Sequence, residues 1–195
     1  MKKSLIALLL CLVLCCGFAG SALAQTVVFG STSYEPLCWD VLYADGQYTT
    51  LISKTCVACQ PFGDSNNWHS SYLRYWLNNG YLYGAFTPDE RCAMVPVEGD
   101  MIRLPSVGDM TNFRFGYSAN RDAQDRTRSA RANAVAVNQG VWTNDYGYCS
   151  YYTMTPCDST SMYQVRTDGS IGVARIDRDN VGVRIMIKVK TNALY

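Results

Sequence analysis

The segment from Trp142 to Tyr163 holds the densest group of side chains that could bind a ligand. It reads WTNDYGYCSYYTMTPCDSTSMY and contains no lysine or arginine. Tyrosine and tryptophan provide large, rigid contact surfaces, while serine, asparagine and glycine provide adaptable hydrogen bonds. Aromatic faces beside Asn and Asp also suit sugar rings. We therefore predict a recognition surface whose binding residues are Trp142, Asn144, Asp145, Tyr146, Tyr148, Tyr151 and Tyr152. The alternative is a plain scaffold, because tyrosine is common on half-exposed strands.

Metal chemistry has little to support it in this chain. The stretch Trp142 to Asp145 is similar to a calcium-lectin strand. Calcium takes six to eight oxygen ligands, however, and the sequence shows no second acidic cluster that would necessarily lie close to this stretch. Residues 177–180 are predicted to form a charged hairpin tip, because they lack the glycine and glutamate of an EF-hand loop. The chain has one histidine, His69, which excludes any site that needs two. We predict no metal and no cofactor.

The oxidation state expected of the cysteines depends on whether the protein is exported. Of the nine cysteines, three lie in the first 24 residues, which we predict to be removed on export. The six that remain, an even number in an oxidising compartment, predict up to three disulfides, with 15 possible connectivities. Cys56 and Cys59 have the spacing of a redox pair or of half a zinc site, and both alternatives remain open beside free thiols. A Cys149–Cys157 bridge would close a short loop at the lowest entropic cost. The six candidates are Cys38, Cys56, Cys59, Cys92, Cys149 and Cys157.

The first 24 residues have the pattern of a signal peptide. Two lysines precede an uncharged apolar run, and Ala22-Leu23-Ala24 forms a cleavage site. We predict cleavage before Gln25, which makes the protein secreted, periplasmic or part of the cell envelope. A membrane anchor and a lipoprotein site are the alternatives. No later stretch is long and apolar enough to span a membrane, so we predict no span after cleavage.

Composition limits the remaining classes. The chain has 195 residues, and 48% of them are hydrophobic, which excludes intrinsic disorder. Its 17 basic residues nearly balance its 16 acidic ones, so a charge-driven interaction with nucleic acid is excluded. We predict one domain over residues 25–195. No repeat or linker divides it.

Strands come first, then helices, then strands again. Residues 38–43 and 48–54 flank an Asp-Gly turn and predict a hairpin. Helices are predicted over 69–78, from Thr87, from Ser106 and over 127–137, with Thr87 and Glu90 forming a capping box. The segments 163–167, 170–176 and 183–190 predict strands, the last with one buried face. This order predicts an α+β fold with mixed or antiparallel strands and two to four short helices.

Several motifs together resemble a bacterial family of exported proteins, a domain of unknown function. Its pattern includes W-x-V-L, S-x-L-R-x-W-L-N, W-W-L-R-S-P and G-V-R-P-A. The matching pieces here are Trp39-Asp40-Val41-Leu42, Leu51-Ile52-Ser53-Lys54, the run WHSSYLRYWLN from Trp68 to Asn78, Ala85-Phe86 with Glu90, and Gly182-Val183-Arg184. The chain departs from the pattern at residues 151–156 and 185–186. More distantly, the layout resembles the fold shared by C-type lectins and formylglycine-generating enzymes. The resemblance implies export and a fold, and implies no activity.

These observations predict an exported domain that recognises a glycan or an extracellular protein through its tyrosine-rich segment. No nucleophile elbow or HExxH motif is present, which does not favour an enzyme. A cell-wall or glycan-processing enzyme and a structural envelope protein without a small ligand are the alternatives.

Overall fold

Short strands provide most of the regular structure in the computed structural model, which describes residues 26–194. The predicted signal peptide lies outside these residues. The strands are β1 (Thr26–Ser31), β2 (Pro36–Ala44), β3 (Tyr48–Ser53), β4 (Thr55–Cys56), β5 (Ala58–Cys59), β6 (Ala130–Ala132), β7 (Tyr148–Cys149), β8 (Tyr151–Asp158), β9 (Ser161–Val165), β10 (Ile171–Arg175), β11 (Gly182–Val183) and β12 (Met186–Lys190). The helices are α1 (Tyr72–Trp76), α2 (Leu82–Ala85), α3 (Pro88–Ala93), α4 (Val107–Met110) and α5 (Ala134–Asn138). A π-helical turn, Leu77–Tyr81, joins α1 to α2. The predicted α+β class is confirmed.

The strands form three sheets. The first is antiparallel with the order β1-β2-β3-β12, and the second has the order β10-β9-β8-β11-β5. In the second sheet only the β11–β8 pair is parallel. The third, β4-β6-β7, is small and mixed. Because the chain passes directly from β4 to β5 and from β7 to β8, the third sheet continues into the second.

Two adjoining hydrophobic clusters form the core, and they bury both faces of the β3–β12 pair. Leu51 and Ile187 belong to the larger cluster, whereas Ile52 and Met186 belong to the other. The prediction of one continuous strand over 183–190 with one buried face is therefore wrong. The segment leaves the second sheet after Val183 and enters the first at Met186, so its residues are covered on both sides.

Local signals predicted several elements correctly. Strands β2 and β3 pair as a hairpin, and so do β9 and β10 across the Asp168-Gly169 turn. Capping boxes begin α3 at Thr87 and α4 at Ser106. These elements depend on side chains within a few residues of the backbone groups that they satisfy.

Two helix predictions are wrong for nonlocal reasons. The helix from Tyr72 does not end at Asn78-Asn79-Gly80 but continues to Ala85, because Leu77, Leu82 and Ala85 pack into the core. Residues 127–137 do not form one helix. Strand β6 occupies their middle, where it pairs with β4 and β7, and Asn133 then caps the short α5. Tertiary pairing overrides the helix propensity of alanine there.

Several side chains in the run from Trp68 to Asn78 have structural roles. The Trp68 indole donates to the buried carboxylate of Asp100 at 2.8 Å, and Arg74 Nε donates to the same group at 2.7 Å. Ser71 caps α1. The Asn78 amide oxygen accepts hydrogen bonds from the amides of residues 101 and 102, and its nitrogen donates to the carbonyl of residue 102. These contacts attach α1 to the 100–102 segment.

Arg184 is a charged motif residue that the core encloses. Its side chain is 2% exposed, and its Nε donates to the Ser53 carbonyl at 2.8 Å. Its Nη1 donates to the Arg128 carbonyl at 2.8 Å and to the Tyr151 hydroxyl at 3.2 Å. Arg184 thereby joins the end of β3 to β8 and to the 126–128 turn.

Candidate functional site

A shallow cleft beside Trp142 is the part of the tyrosine-rich segment best suited to hold a ligand. Its volume is about 120 Å³, and it is lined by Trp142, Ser150, Gln164, Arg178, Asn180 and Val181. The Trp142 side chain is 58% exposed. An aromatic face, a guanidinium, two amides and a hydroxyl thus share one small surface. We call it the Trp142 cleft.

The backbone around Trp142 is fixed on both sides. Val141 is buried and its amide donates to the Ala136 carbonyl, so it anchors the chain after α5. The Trp142 amide donates to the Asn180 carbonyl at 3.1 Å, which ties the tryptophan to the turn before β11. Gln164, another lining residue, lies on β9, and its Nε2 donates to the Val173 carbonyl at 3.0 Å. The cleft is therefore built on a braced framework.

Asn144 shapes the neighbouring turn. Its Oδ1 accepts hydrogen bonds from the amides of Tyr146 and Tyr148 at 3.1 Å and 3.0 Å. Gly147, with a φ of +78°, completes the turn. This geometry leaves Asp145 exposed and Tyr146 73% exposed at the tip. Tyr148 is half-buried, and the Arg131 guanidinium lies 5.1 Å from its ring centre. Asn144 thus supports the surface and does not offer this oxygen to a metal.

Tyr151 and Tyr152 form core, which corrects their predicted place on a binding surface. Both are 0% exposed. The Tyr151 hydroxyl donates to the Arg128 carbonyl at 2.6 Å, and the Tyr152 hydroxyl donates to the Arg175 carbonyl at 2.6 Å. Tyr152 belongs to the larger hydrophobic cluster and Tyr151 to the other, so both faces of β8 are covered at this point. The predicted binding residues left at the surface are Trp142, Asn144, Asp145, Tyr146 and Tyr148.

Acid–base catalysis finds no support at the cleft, because no carboxylate lines it. A glycosidase needs one carboxylic acid whose pKa is raised. Among the described carboxyl groups, burial acts to raise the pKa of Asp109, Asp125 and Glu90, but hydrogen bonds outweigh it and each pKa is lowered. In residues 26–194 no three His, Cys, Asp or Glu side chains are grouped as metal ligands.

A second cavity, which the sequence did not suggest, lies between α2 and the loop after β1. Its volume is about 200 Å³, and Trp76, Tyr81, Tyr34 and Gln139 are among its lining residues. The rings of Trp76 and Tyr81 lie 5.3 Å apart. The Tyr81 hydroxyl is buried without a hydrogen-bond partner, and burial raises its pKa. The predicted helix ends at Asn78, so the sequence gives no reason to single out Tyr81.

The cysteines separate into a buried and an exposed set. Cys56, Cys59 and Cys149 are buried, whereas Cys38, Cys92 and Cys157 are exposed, and all six are free thiols in this structure. The suggestion of a Cys149–Cys157 bridge is wrong, because the extended strand β8 separates the two residues. At about 3.3 Å per residue, eight residues of strand hold them far beyond bonding distance.

Within residues 26–194, no helix has the length and apolar character that crossing a membrane requires. Comparison with known proteins finds no matching family model, no similar curated protein and no similar solved structure. The resemblance to an exported bacterial family, and the more distant one to the C-type-lectin layout, therefore stay predictions.

Proposed function

We propose that the protein is an exported domain that binds a glycan at the Trp142 cleft. The observation that carries this proposal is a 58% exposed indole at the edge of a cleft whose other walls are mostly polar. An exposed tryptophan on a braced backbone offers a large apolar face to a ligand, and its main chain is already ordered before binding.

The chemistry of the lining suits a sugar. The C–H face of a pyranose can stack on the Trp142 ring, while its hydroxyls need both donors and acceptors. The Arg178 guanidinium supplies donors only, and the Asn180 amide and the Ser150 hydroxyl can supply either. We expect binding to be independent of calcium, because the amide oxygen of Asn144 already accepts two backbone hydrogen bonds.

An extracellular protein is the second candidate ligand. Tyr146 is 73% exposed on the turn that follows Trp142, and exposed tyrosine and tryptophan are typical of protein-binding surfaces. A structural envelope protein would need neither residue at the surface. A glycan-processing enzyme would need carboxylates that the Trp142 cleft lacks.

The test is an array of glycans and cell-wall fragments, probed with the exported protein with and without calcium. For any glycan that binds, Trp142→Ala should raise the dissociation constant at least about 30-fold, which is the loss of affinity expected when a central aromatic contact is removed. Phe113→Ala is the matched control, since Phe113 is 74% exposed and lies outside the cleft.

Each outcome has a distinct meaning. Equal binding by wild type and Trp142→Ala would refute the cleft as the site. A signal that requires calcium would restore the metal-dependent lectin interpretation. Binding to no glycan, together with a Tyr146-dependent interaction with an envelope protein, would support the second candidate.

A further inference from the structure

Two cysteines far apart in sequence meet in the core at a single glycine. Cys56 on β4 and Cys149 on β7 are each 0% exposed. A Cβ atom on Gly182 would lie 2.9 Å from the Cys56 sulfur and 3.1 Å from the Cys149 sulfur. Both sulfurs are therefore packed against the same glycine, which separates strands β5 and β8.

The strand order explains why these two residues converge. Strands β4 and β7 flank β6, where Cys56 is opposite Ala132 and Cys149 is opposite Ala130. On the other side, the amide of Gly182 donates to the Ser150 carbonyl, next to Cys149. The four backbone segments thus surround a small interior that the two sulfurs share. Burial, and then the neighbouring Cys149 thiol, raise the pKa of Cys56.

Cys59 is buried nearby but has a different environment. Its sulfur donates to the Asp179 carbonyl at 3.0 Å and lies 3.6 Å from the Val181 carbonyl. Burial raises the pKa of this thiol to about 11. A protonated Cys59 is therefore satisfied as it stands. The CxxC spacing of Cys56 and Cys59 has no role as a bonded pair here.

We propose that Cys56 and Cys149 form a disulfide when the protein folds in an oxidising compartment, and that Cys59 remains a thiol. The oxidant is a disulfide-bonded exchange partner, such as an oxidoreductase or oxidised glutathione. Its S–S bond accepts two electrons and two protons from the two cysteine thiols and leaves as two thiols, while the Cys56–Cys149 bond forms. Because both thiols are buried in the native state, exchange takes place before β6 and β11 cover them.

The bond would lock the smallest sheet of the fold. Strands β4, β6 and β7 have two or three residues each and form few ladder hydrogen bonds. A bond between residues 56 and 149 spans a long loop, and such loops give a disulfide its largest effect on the unfolded chain.

The experiment is non-reducing peptide mapping of the full chain after export to the bacterial periplasm, with alkylation of free thiols under denaturing conditions. Trypsin leaves Cys56 and Cys59 in one peptide and Cys149 and Cys157 in another. We expect these peptides to be cross-linked, with fragment ions that assign the bond to Cys56 and Cys149. The cross-link should persist in Cys59→Ser and in Cys157→Ser and disappear in Cys56→Ser.

Fragment ions from the wild type keep the test decisive if Cys56→Ser fails to fold. Alkylated Cys56 and Cys149, or a cross-link that is lost in Cys59→Ser, would overturn the proposal. Thermal unfolding gives a second readout. Reduction should lower the midpoint by about 10 °C, whereas Cys38→Ser, an exposed control, should leave the midpoint of the oxidised protein unchanged.

Discussion

Replacing Arg184 with leucine should remove a large part of the stability of the fold. The guanidinium makes three hydrogen bonds, two of them at 2.8 Å to backbone carbonyls, and lies 3.7 Å from Asp40. Leucine keeps an apolar stem but leaves the Ser53 carbonyl without this donor. Breaking a buried charged network of this kind costs about 3–5 kcal/mol. With an m-value of about 2 kcal/mol/M, the urea midpoint should fall by about 2 M.

The assay is equilibrium urea unfolding followed by tryptophan fluorescence. Arg175→Leu is the matched control, because Arg175 also makes two hydrogen bonds, to Asp177, but its side chain is 64% exposed. It should leave the midpoint unchanged within error. Arg184→Lys separates charge from geometry, since lysine cannot reproduce the planar fork, and should lose most of the same stability. Equal midpoints for Arg184→Leu and Arg175→Leu would refute the reasoning.

Four further substitutions test individual contacts by the same unfolding assay. Gly182→Ala should destabilise the protein by about 1–3 kcal/mol through overpacking against both buried sulfurs, and unchanged stability would contradict that packing. Tyr152→Phe should cost about 1 kcal/mol, while Tyr81→Phe should cost nothing, because only the first hydroxyl has a partner. Burial acts to raise the pKa of Asp109, but contacts with Arg103 and Ser106 outweigh burial, and the pKa is lowered. The ionised carboxylate therefore stabilises the fold above about pH 4. That contribution is lost as the pH falls through the pKa of the folded state. Asp109→Asn should therefore flatten the acid limb of the stability curve, and an unchanged limb would contradict this assignment.

The elements that the sequence predicted well are those decided within a few residues. Thr87 and Ser106 cap their helices with their own hydroxyls, and Asp168-Gly169 closes a hairpin with a local turn. These signals need no knowledge of the rest of the chain. The α+β class follows from their order.

The errors arise where a distant segment decides. Tyr151 and Tyr152 have the composition of a surface, but each packs into one of the two hydrophobic clusters, whose other members come from distant parts of the chain. Residues 130–132 have a helix-forming composition, but β4 and β7 pair with them from both sides. The same limit explains the wrong cysteine pairing. Sequence spacing favoured a bridge between Cys149 and Cys157, whereas the sheets bring Cys149 close to Cys56.

The motif residues described above stabilise the fold. The resemblance to the exported bacterial family, which depends on these residues, therefore concerns architecture. Trp68 and Arg74 both bind the Asp100 carboxylate, and Arg184 binds main-chain carbonyls in the core. The Trp68 indole and the Arg184 guanidinium are buried and are not available to a ligand. Trp142, in contrast, contributes an exposed ring, and its neighbourhood depends on a turn that Asn144 shapes through its own backbone contacts. A protein that kept the motifs and replaced Trp142 would therefore be expected to keep this architecture and lose the proposed glycan site. The motifs thus predict the fold, and Trp142 predicts the binding site.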